Sequence, residues 1–241
     1  MVSTFVRSMS VQGSWNFRTM IGTGFAFSLL PVLRRVYEGD EEGLDDAVSR
    51  HAGIFNAHPY FASMAVGAVA RLEADGADPE VIERFKVAIR GPLGALGDRL
   101  VWAGWLPITV MAGIIAWILG APPIVAVLVF LVPYNIGHLG IRMWGFRTGL
   151  KEGRDVGRRL RAADLGGLAG KLGFCASGLI GVFLGALAST GVASRPLGLL
   201  LPVIIGFAFW VGLRAGAQAW KPAVAVLVGC VVLLSLFGVL R

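Results

Sequence analysis

Three short stretches of the sequence combine polar side chains with helix-breaking residues in apolar surroundings. In the first, FNAHPYF at 55–61, the side chains of Asn56, His58 and Tyr60 surround Pro59. Proline ends or kinks the preceding helix and leaves backbone carbonyls unpaired. An amide, an imidazole and a phenol beside such carbonyls suit the hydroxyl groups of a sugar. A corner between two helices, in which these side chains satisfy local backbone groups, explains the same pattern.

The second stretch is GPLGALGDRLVWAGWLP at 91–107, where glycines, Pro92 and Asp98 stand directly before an apolar run. Irregular backbone at membrane depth persists only where it lies within protein or lines a cavity. Transporters use interrupted helices of this kind to contact polar substrates. We therefore expect a broken or re-entrant helix here, with Asp98 near a substrate path. A surface turn capped by Asp98 is the alternative.

The third stretch is VPYNIGHLGIRMWGFRTG at 132–149. Its side chains Asn135, His138 and Arg142 are spaced by three and four, which predicts that they share one helix face. Polar side chains within a membrane helix are costly and mark a pathway or a partner contact. We expect Arg142 to extend to the membrane interface, which leaves Asn135 and His138 as the candidates.

A fourth stretch, QGSWNF, places Gln12, Trp15 and Asn16 where they can anchor the chain at the level of the lipid headgroups. We find no set of nucleophile, base and oxyanion donors, and no Cys/His spacing typical of zinc. The sequence therefore predicts a non-catalytic protein without a metal or other cofactor. Cys175 and Cys230 stand in separate apolar runs, and we expect both to pack as small hydrophobic residues.

The composition is that of an integral membrane protein: 56% of the 241 residues are apolar, and the mean hydropathy is +0.72. The net charge of +7 does not indicate nucleic-acid binding, because no basic stripe is interleaved with aromatic residues. Glycine-rich runs without strand alternation exclude a barrel. Only helices remain to satisfy the backbone in lipid, so we predict an all-α fold.

The elements that must position these side chains fall into two regions. Residues 1–90 carry three or four amphipathic helices, interfacial or re-entrant, and 91–241 form the membrane region. Five apolar runs each approach the roughly twenty residues that cross a bilayer: 100–120, 124–141, 172–191, 197–213 and 223–240. We therefore expect about five transmembrane helices after the amphipathic half. The basic loop 142–171 is expected in the cytoplasm by the positive-inside rule.

Taken in order, QGSWNF, IGTGFAFSLLPVLRRVY, FNAHPYFASMAVG, GPLGALGD and YNIGHLGIRMWGFRTG resemble the IID membrane subunit of the mannose-type phosphotransferase system (PTS). The resemblance extends over about 12–190. It implies that a IIC subunit joins IID to form a hexose translocator, and that a IIB domain phosphorylates the imported sugar. Soluble IIA and IIB domains carry the phosphoryl group, and IID bears none. It also implies trimers of IIC–IID heterodimers in the inner (plasma) membrane of a bacterium.

The resemblance favours a substrate-binding or translocation role for six side chains: Asn56, His58, Tyr60, Asp98, Asn135 and His138. The chain departs from the family pattern at Arg99, at Leu106 where a basic residue is usual, and at 192–196, where VASRP replaces a longer polar extension. These departures leave open an alternative, a regulatory or scaffolding PTS membrane subunit with impaired transport. Closely spaced glycines predict that the subunit depends on a membrane partner.

Overall fold

The computed structural model describes residues 1–187, and helices make up most of that part of the chain. In order they are α1 (Val2–Ser8), α2 (Gly22–Val36), α3 (Glu41–Ala52), α4 (Pro59–Ala74), α5 (Pro79–Gly97), a π-helical segment (Asp98–Trp105), α6 (Leu106–Ile118), α7 (Pro123–Glu152), a 3₁₀ turn (Gly153–Asp155), α8 (Val156–Ala162) and α9 (Leu165–Leu187). The predicted helical class is confirmed there. The apolar runs 197–213 and 223–240, and the end of 172–191, lie outside the described residues.

The amphipathic helices of the first half form a compact bundle. Apolar residues at helical spacing give α2 one fully buried side, with Phe25, Leu29 and Leu33 in the core. Asp40 caps α3 by accepting a hydrogen bond from the Gly43 N–H. Helix α5 begins at Pro79 in its first turn, and the Asp78 side chain caps it by accepting from the Glu80 N–H.

Helix α4 is buried along its length and packs parallel to α7. Glycines let the two backbones meet: a Cβ at Gly67 would lie 2.3 Å from the Phe146 carbonyl oxygen, and a Cβ at Gly149 would lie 2.1 Å from that of Met64. The Ser63 hydroxyl adds a hydrogen bond of 3.0 Å to the Arg142 carbonyl. This contact fixes the first turn of α4 against the middle of α7.

The predicted break at 91–98 is wrong, because α5, the π-helical segment and α6 are continuous over Pro79–Ile118. Pro92 and its neighbouring glycines lie inside α5, where packing overrides their low helix propensity. The wider π turns follow directly, and such turns are frequent at functional sites. Of these glycines, Gly97 serves close packing, since a Cβ there would lie 2.2 Å from the His58 side chain, whereas a Cβ at Gly91 would meet nothing within 4 Å.

Within residues 1–187, two helical stretches are long and apolar enough to cross a membrane, Pro79–Ile118 and Pro123–Ala162. Much of α7 before Arg142 exposes large apolar side chains, including Ile124, Leu128 and Ile136, as expected of a surface that meets lipid or another membrane helix. The backbone turns at Gly153, where φ is +54°, and again at Asp164, where φ is +42°. After the second turn α9 runs back beside α7.

Cys175 on α9 is exposed, so the expectation that it packs in the core is wrong. The residue occupies a part of α9 whose neighbours, such as Phe174, are also exposed. The apolar sequence around Cys175 therefore reflects a surface that faces an apolar medium. Cys230 lies outside the described residues.

Candidate functional site

Polar side chains converge where the first turn of α4 meets the middle of α7. We call His58, Tyr60, Tyr134, His138 and Arg142 the Tyr60 cluster. The Tyr60 and Tyr134 hydroxyls are hydrogen-bonded at 2.5 Å, and the His138 ring stacks on Tyr60 with centroids 4.1 Å apart. Tyr134, His138 and Arg142 are spaced by four, so they line one face of α7.

Arg142 holds this cluster in place from the buried side. It is only 3% exposed, and its Nε donates to His138 Nε2 at 2.8 Å. One terminal nitrogen donates to the Ser8 carbonyl oxygen at 2.7 Å, and the guanidinium lies 5.0 Å from the centre of the Tyr60 ring. The expectation that Arg142 extends to the membrane interface is therefore wrong, because protein groups occupy its donors instead.

The hydrogen bond from Arg142 also assigns the tautomer of His138. Since Nε2 accepts, the proton of the neutral ring resides on Nδ1. His138 is only partly buried, as is Tyr134, so this edge of the cluster opens to the surface of α7. An open edge with hydroxyl and imidazole groups offers both donors and acceptors to a polar ligand.

His58 contributes an unused hydrogen-bonding atom to the site. The residue caps α4, and its Nδ1 accepts from the Tyr60 N–H at 3.2 Å. In the neutral ring the proton then resides on Nε2, which is buried and has no partner among the described residues. Buried polar atoms are nearly always paired, so an orphan of this kind marks a place for a ligand or a water. The half-exposed Trp102 of the π-helical segment flanks His58 at 5.0 Å between ring centroids.

The structure brings together His58, Tyr60 and His138, and it leaves the other three predicted side chains outside the cluster. Asn56 and Asp98 are exposed. Asn135 is also exposed, and its amide nitrogen donates to the Leu131 carbonyl oxygen on its own helix. Tyr134, not Asn135, makes the contact of this face with Tyr60, and roles for Asn56, Asp98 and Asn135 in translocation stay predictions.

The predicted anchor stretch forms a tight loop before α2. Asn16 organises it: its Oδ1 accepts from the Thr19 N–H at 2.9 Å, and its Nδ2 donates to the Thr19 hydroxyl at 2.8 Å. Gln12 is exposed, as is Trp15, whose ring packs edge-on against the exposed Phe17. A role at the lipid headgroups for Gln12, Trp15 and Asn16 stays a prediction.

Sequence reasoning missed a second polar site, the buried ion cluster formed by Tyr37, Arg50, His51 and Glu73. The Glu73 carboxylate is bound by Arg50 at 2.8 Å, by His51 Nε2 at 2.7 Å and by the Tyr37 hydroxyl at 3.0 Å. Burial alone raises the pKa of Glu73, but the hydrogen bonds from His51 and Arg50 outweigh it and lower the pKa to about 2. Burial lowers the pKa of His51, against the pull of Glu73. This cluster joins α2, α3 and α4 and so stabilises the bundle behind the site.

No three His, Cys, Asp or Glu side chains converge on a possible metal position within residues 1–187. The Tyr60 cluster also lacks a catalytic arrangement: no nucleophilic side chain in it is paired with a general base next to a group that binds an oxyanion. The hydroxyl and imidazole groups of the cluster, with the indole of the neighbouring Trp102, are suited to binding a polyhydroxylated molecule, with hydrogen bonds at the hydroxyls and aromatic contact at the C–H faces.

Comparisons of the chain with known proteins point to one family of membrane proteins. The model of the PTS system mannose/fructose/sorbose family IID component matches residues 1–195. The mannose-specific EIID component of Escherichia coli K12 is 35% identical over 168 residues, 68% of this chain and 57% of that protein. The sorbose-specific EIID component of Klebsiella pneumoniae is 32% identical over 172 residues, 69% of this chain and 60% of that protein. The chain thus spans less than two thirds of the length of these relatives.

Solved structures give the same result at the level of the fold. A chain from the mannose transporter ManYZ, determined by cryo-electron microscopy in complex with microcin E492, matches with a TM-score of 0.60 and 26% identity. That match covers 96% of this chain and 93% of the other. A second chain, described as a membrane protein, matches with a TM-score of 0.76 and 25% identity over 98% of this chain and 93% of its own.

Proposed function

This chain belongs to the mannose/fructose/sorbose family of PTS IID components, and from that membership we propose that it forms a hexose translocator together with a IIC subunit. IID components are membrane proteins, and the two apolar helical stretches agree with this. We place the complex in the inner membrane of a bacterium, with the basic segment 142–171 in the cytoplasm. A IIB domain, charged by IIA, phosphorylates the hexose during import.

One observation supports the proposal most strongly: hydrogen-bonding groups of the Tyr60 cluster lie between helices that are otherwise apolar. Such groups are costly in a membrane protein and mark a pathway or a contact. The partly open side of the cluster, formed by Tyr134 and His138, is the side from which a sugar enters. The remainder of the path is contributed by the IIC subunit.

Each side chain of the cluster has a role that follows from its contacts. The Tyr60 and Tyr134 hydroxyls exchange their mutual hydrogen bond for bonds to sugar hydroxyls, and His58 Nε2 donates its unused proton. Trp102 offers an aromatic face to the C–H groups of the ring. Arg142 is a positioning residue, because its hydrogen bond to His138 fixes the orientation of that ring. No covalent step is assigned to this chain, since the phosphoryl transfer belongs to IIB.

The test is uptake in proteoliposomes that contain this chain with the IIC subunit of its own organism, and with IIA and IIB supplied on the cytoplasmic side. Labelled hexoses should accumulate as phosphate esters when the full set is present. Omitting this chain should abolish accumulation. A complex that assembles correctly but admits no hexose would refute translocation.

A second candidate is a regulatory or scaffolding PTS subunit with impaired transport. It is favoured by two departures from the family pattern, Arg99, which is exposed on the π-helical segment, and the shortened stretch 192–196. In this case loss of the chain changes PTS-dependent regulation without changing hexose uptake. A defect in uptake on deletion of the chain would exclude it.

A further inference from the structure

An apolar groove lies between α7 and α9, and no residue of the Tyr60 cluster belongs to its lining. Its walls include Trp105, Ile141, Trp144, Leu165 and Leu168, and its volume is about 360 Å³. This volume is within the roughly 300–1,000 Å³ typical of ligand pockets. Leu168 is 44% exposed, so the groove is open along its side.

Two glycines of α7 form the floor of the groove, and they differ in what surrounds them. A Cβ at Gly137 would meet the Trp105 ring at 2.3 Å, whereas a Cβ at Gly140 would meet nothing within 4 Å. The space above Gly140 is therefore empty. The floor extends from Gly137 to Trp144, which is roughly 10 Å along the helix axis.

Helix α8 brings positive charge to one end of this groove. Val156 is buried and Leu160 partly buried against the bundle, while Arg158, Arg159 and Arg161 are exposed. Arg158 is paired with Asp155; within residues 1–187, Arg159 and Arg161 have no acidic partner. Two free guanidinium groups thus lie on the outer surface of α8.

The chain connects these arginines to the groove within a few residues. Arg161 precedes Leu165, the first groove residue of α9, by four positions, which is at most about 14 Å of chain. The intervening turn at Asp164 is tight, since the Asp164 carboxylate accepts from the Gly167 N–H. The arginines therefore lie within about 14 Å of chain from the groove residue Leu165, beyond the end of α7.

We propose that this groove binds one anionic phospholipid of the inner leaflet, with an acyl chain along Gly140 and the headgroup phosphate on Arg159 and Arg161. A phospholipid joins a long apolar chain to an anionic phosphate, and so matches both the apolar groove and the exposed arginines. Arginine is suited to the headgroup, because its planar guanidinium bonds phosphate oxygens in pairs. The bound lipid fills the space between α7 and α9 and stabilises their packing.

The test is native mass spectrometry of the full-length chain in detergent, titrated with phosphatidylglycerol or with phosphatidylcholine of the same acyl chains. The variant R159Q/R161Q should weaken phosphatidylglycerol binding roughly tenfold or more and leave phosphatidylcholine binding unchanged. Gly140→Leu, whose Cβ meets nothing within 4 Å and whose side chain takes up space in the groove, should weaken binding of both lipids. The matched control R34Q/R35Q removes the same charge from exposed arginines at the end of α2 and should bind like the wild type.

Three results would overturn the proposal. Equal affinity of the wild type for the two lipids would show that the headgroup makes no specific contact. A loss of phosphatidylglycerol affinity in R34Q/R35Q equal to that in R159Q/R161Q would indicate diffuse charge attraction. Unchanged lipid binding in Gly140→Leu, with release of a co-purified IIC subunit, would assign the groove to a partner helix. Transport plays no part in these readouts, so they are independent of the proposed translocation.

A measurement on the unmutated groove guards against misfolded variants. In nanodiscs with a small fraction of brominated lipid, brominated phosphatidylglycerol should quench tryptophan fluorescence more than brominated phosphatidylcholine. Trp144→Phe should remove that difference, because Trp144 is the groove tryptophan next to the headgroup end. Identical quenching by the two lipids in the wild type would overturn the proposal.

Discussion

Replacing Gly149 by alanine tests whether the close approach of α4 and α7 sets the geometry of the Tyr60 cluster. The new Cβ would lie 2.1 Å from the Met64 carbonyl oxygen and 2.7 Å from the Ala68 nitrogen. Both contacts are with backbone, so no side-chain rotation relieves them, and α4 must move. Overpacking of this kind costs typically 1–3 kcal/mol.

Gly140→Ala is the matched control on the same helix, since its Cβ meets nothing within 4 Å. Both substitutions gain the same helix propensity, about 1 kcal/mol relative to glycine. The difference in free energy of unfolding between the two variants therefore isolates the clash. At roughly 2–4 °C per kcal/mol for a chain of this size, Gly149→Ala should melt about 2–12 °C below Gly140→Ala.

The assay is thermal unfolding in detergent, followed by hexose uptake in proteoliposomes with the IIC subunit. Gly149→Ala should also lower uptake, because a displaced α4 moves Tyr60 away from Tyr134 and His138. Gly140→Ala should transport like the wild type. Equal melting temperatures for the two variants would refute the close packing of α4 on α7.

Three further substitutions probe the polar groups directly. Tyr134→Phe leaves the Tyr60 hydroxyl without its partner, so we expect a loss of about 1–2 kcal/mol in unfolding free energy and lower uptake; unchanged uptake would exclude Tyr134 from the path. Arg142→Lys keeps the charge but cannot contact His138 and the Ser8 carbonyl together, so uptake should fall although the protein still assembles with IIC. Glu73→Gln leaves the part-buried Arg50 guanidinium without its carboxylate partner and should lower the free energy of unfolding by about 1–3 kcal/mol. Because the pKa of Glu73 is lowered from 4.5 to about 2, its stabilisation is complete above pH 4.5 and lost as the pH falls toward 2; melting temperatures of the wild type should drop over that window, and those of Glu73→Gln should drop less.

The sequence located part of the site because proline and polar side chains stood together in apolar surroundings. His58 and Tyr60 were found this way, since Pro59 places both at the start of a helix that packs against α7. His138 was found because an imidazole inside a membrane helix is unusual. Asn135 lies outside the cluster although its spacing also fits this side of the helix, because the packing of α4 against α7 brings Tyr134 into contact with Tyr60 instead.

Other features were not predictable because they depend on tertiary contacts. Tyr134 is one of several aromatic residues in apolar runs, and such residues are common at membrane interfaces. Arg142 has the sequence context of an interfacial arginine. Only the fold shows that His138 and the Ser8 carbonyl oxygen accept its hydrogen bonds. The glycines of 91–97 indicated a break, but Gly97 serves the approach of His58, and packing outweighs propensity.

The Glu73 cluster could not be predicted either. Glu73 is a single acidic residue near the end of α4, and its partners Arg50 and His51 lie on α3, more than twenty positions earlier. Only the packing of the two helices brings these charges together.

The central claim is that the Tyr60 cluster faces a hexose path, and cysteine protection tests it most directly. Tyr134→Cys is made in a chain with Cys175 and Cys230 replaced by serine and assembled with IIC, and labelling by a small water-soluble thiol reagent is followed with and without transported hexose. Asn135→Cys, one position along α7 and outside the cluster, is the control. We predict that Tyr134→Cys reacts and that the hexose slows its reaction while leaving Asn135→Cys unaffected. A cysteine at 134 that never reacts, or that reacts equally with and without sugar in a complex that transports it, would contradict the claim.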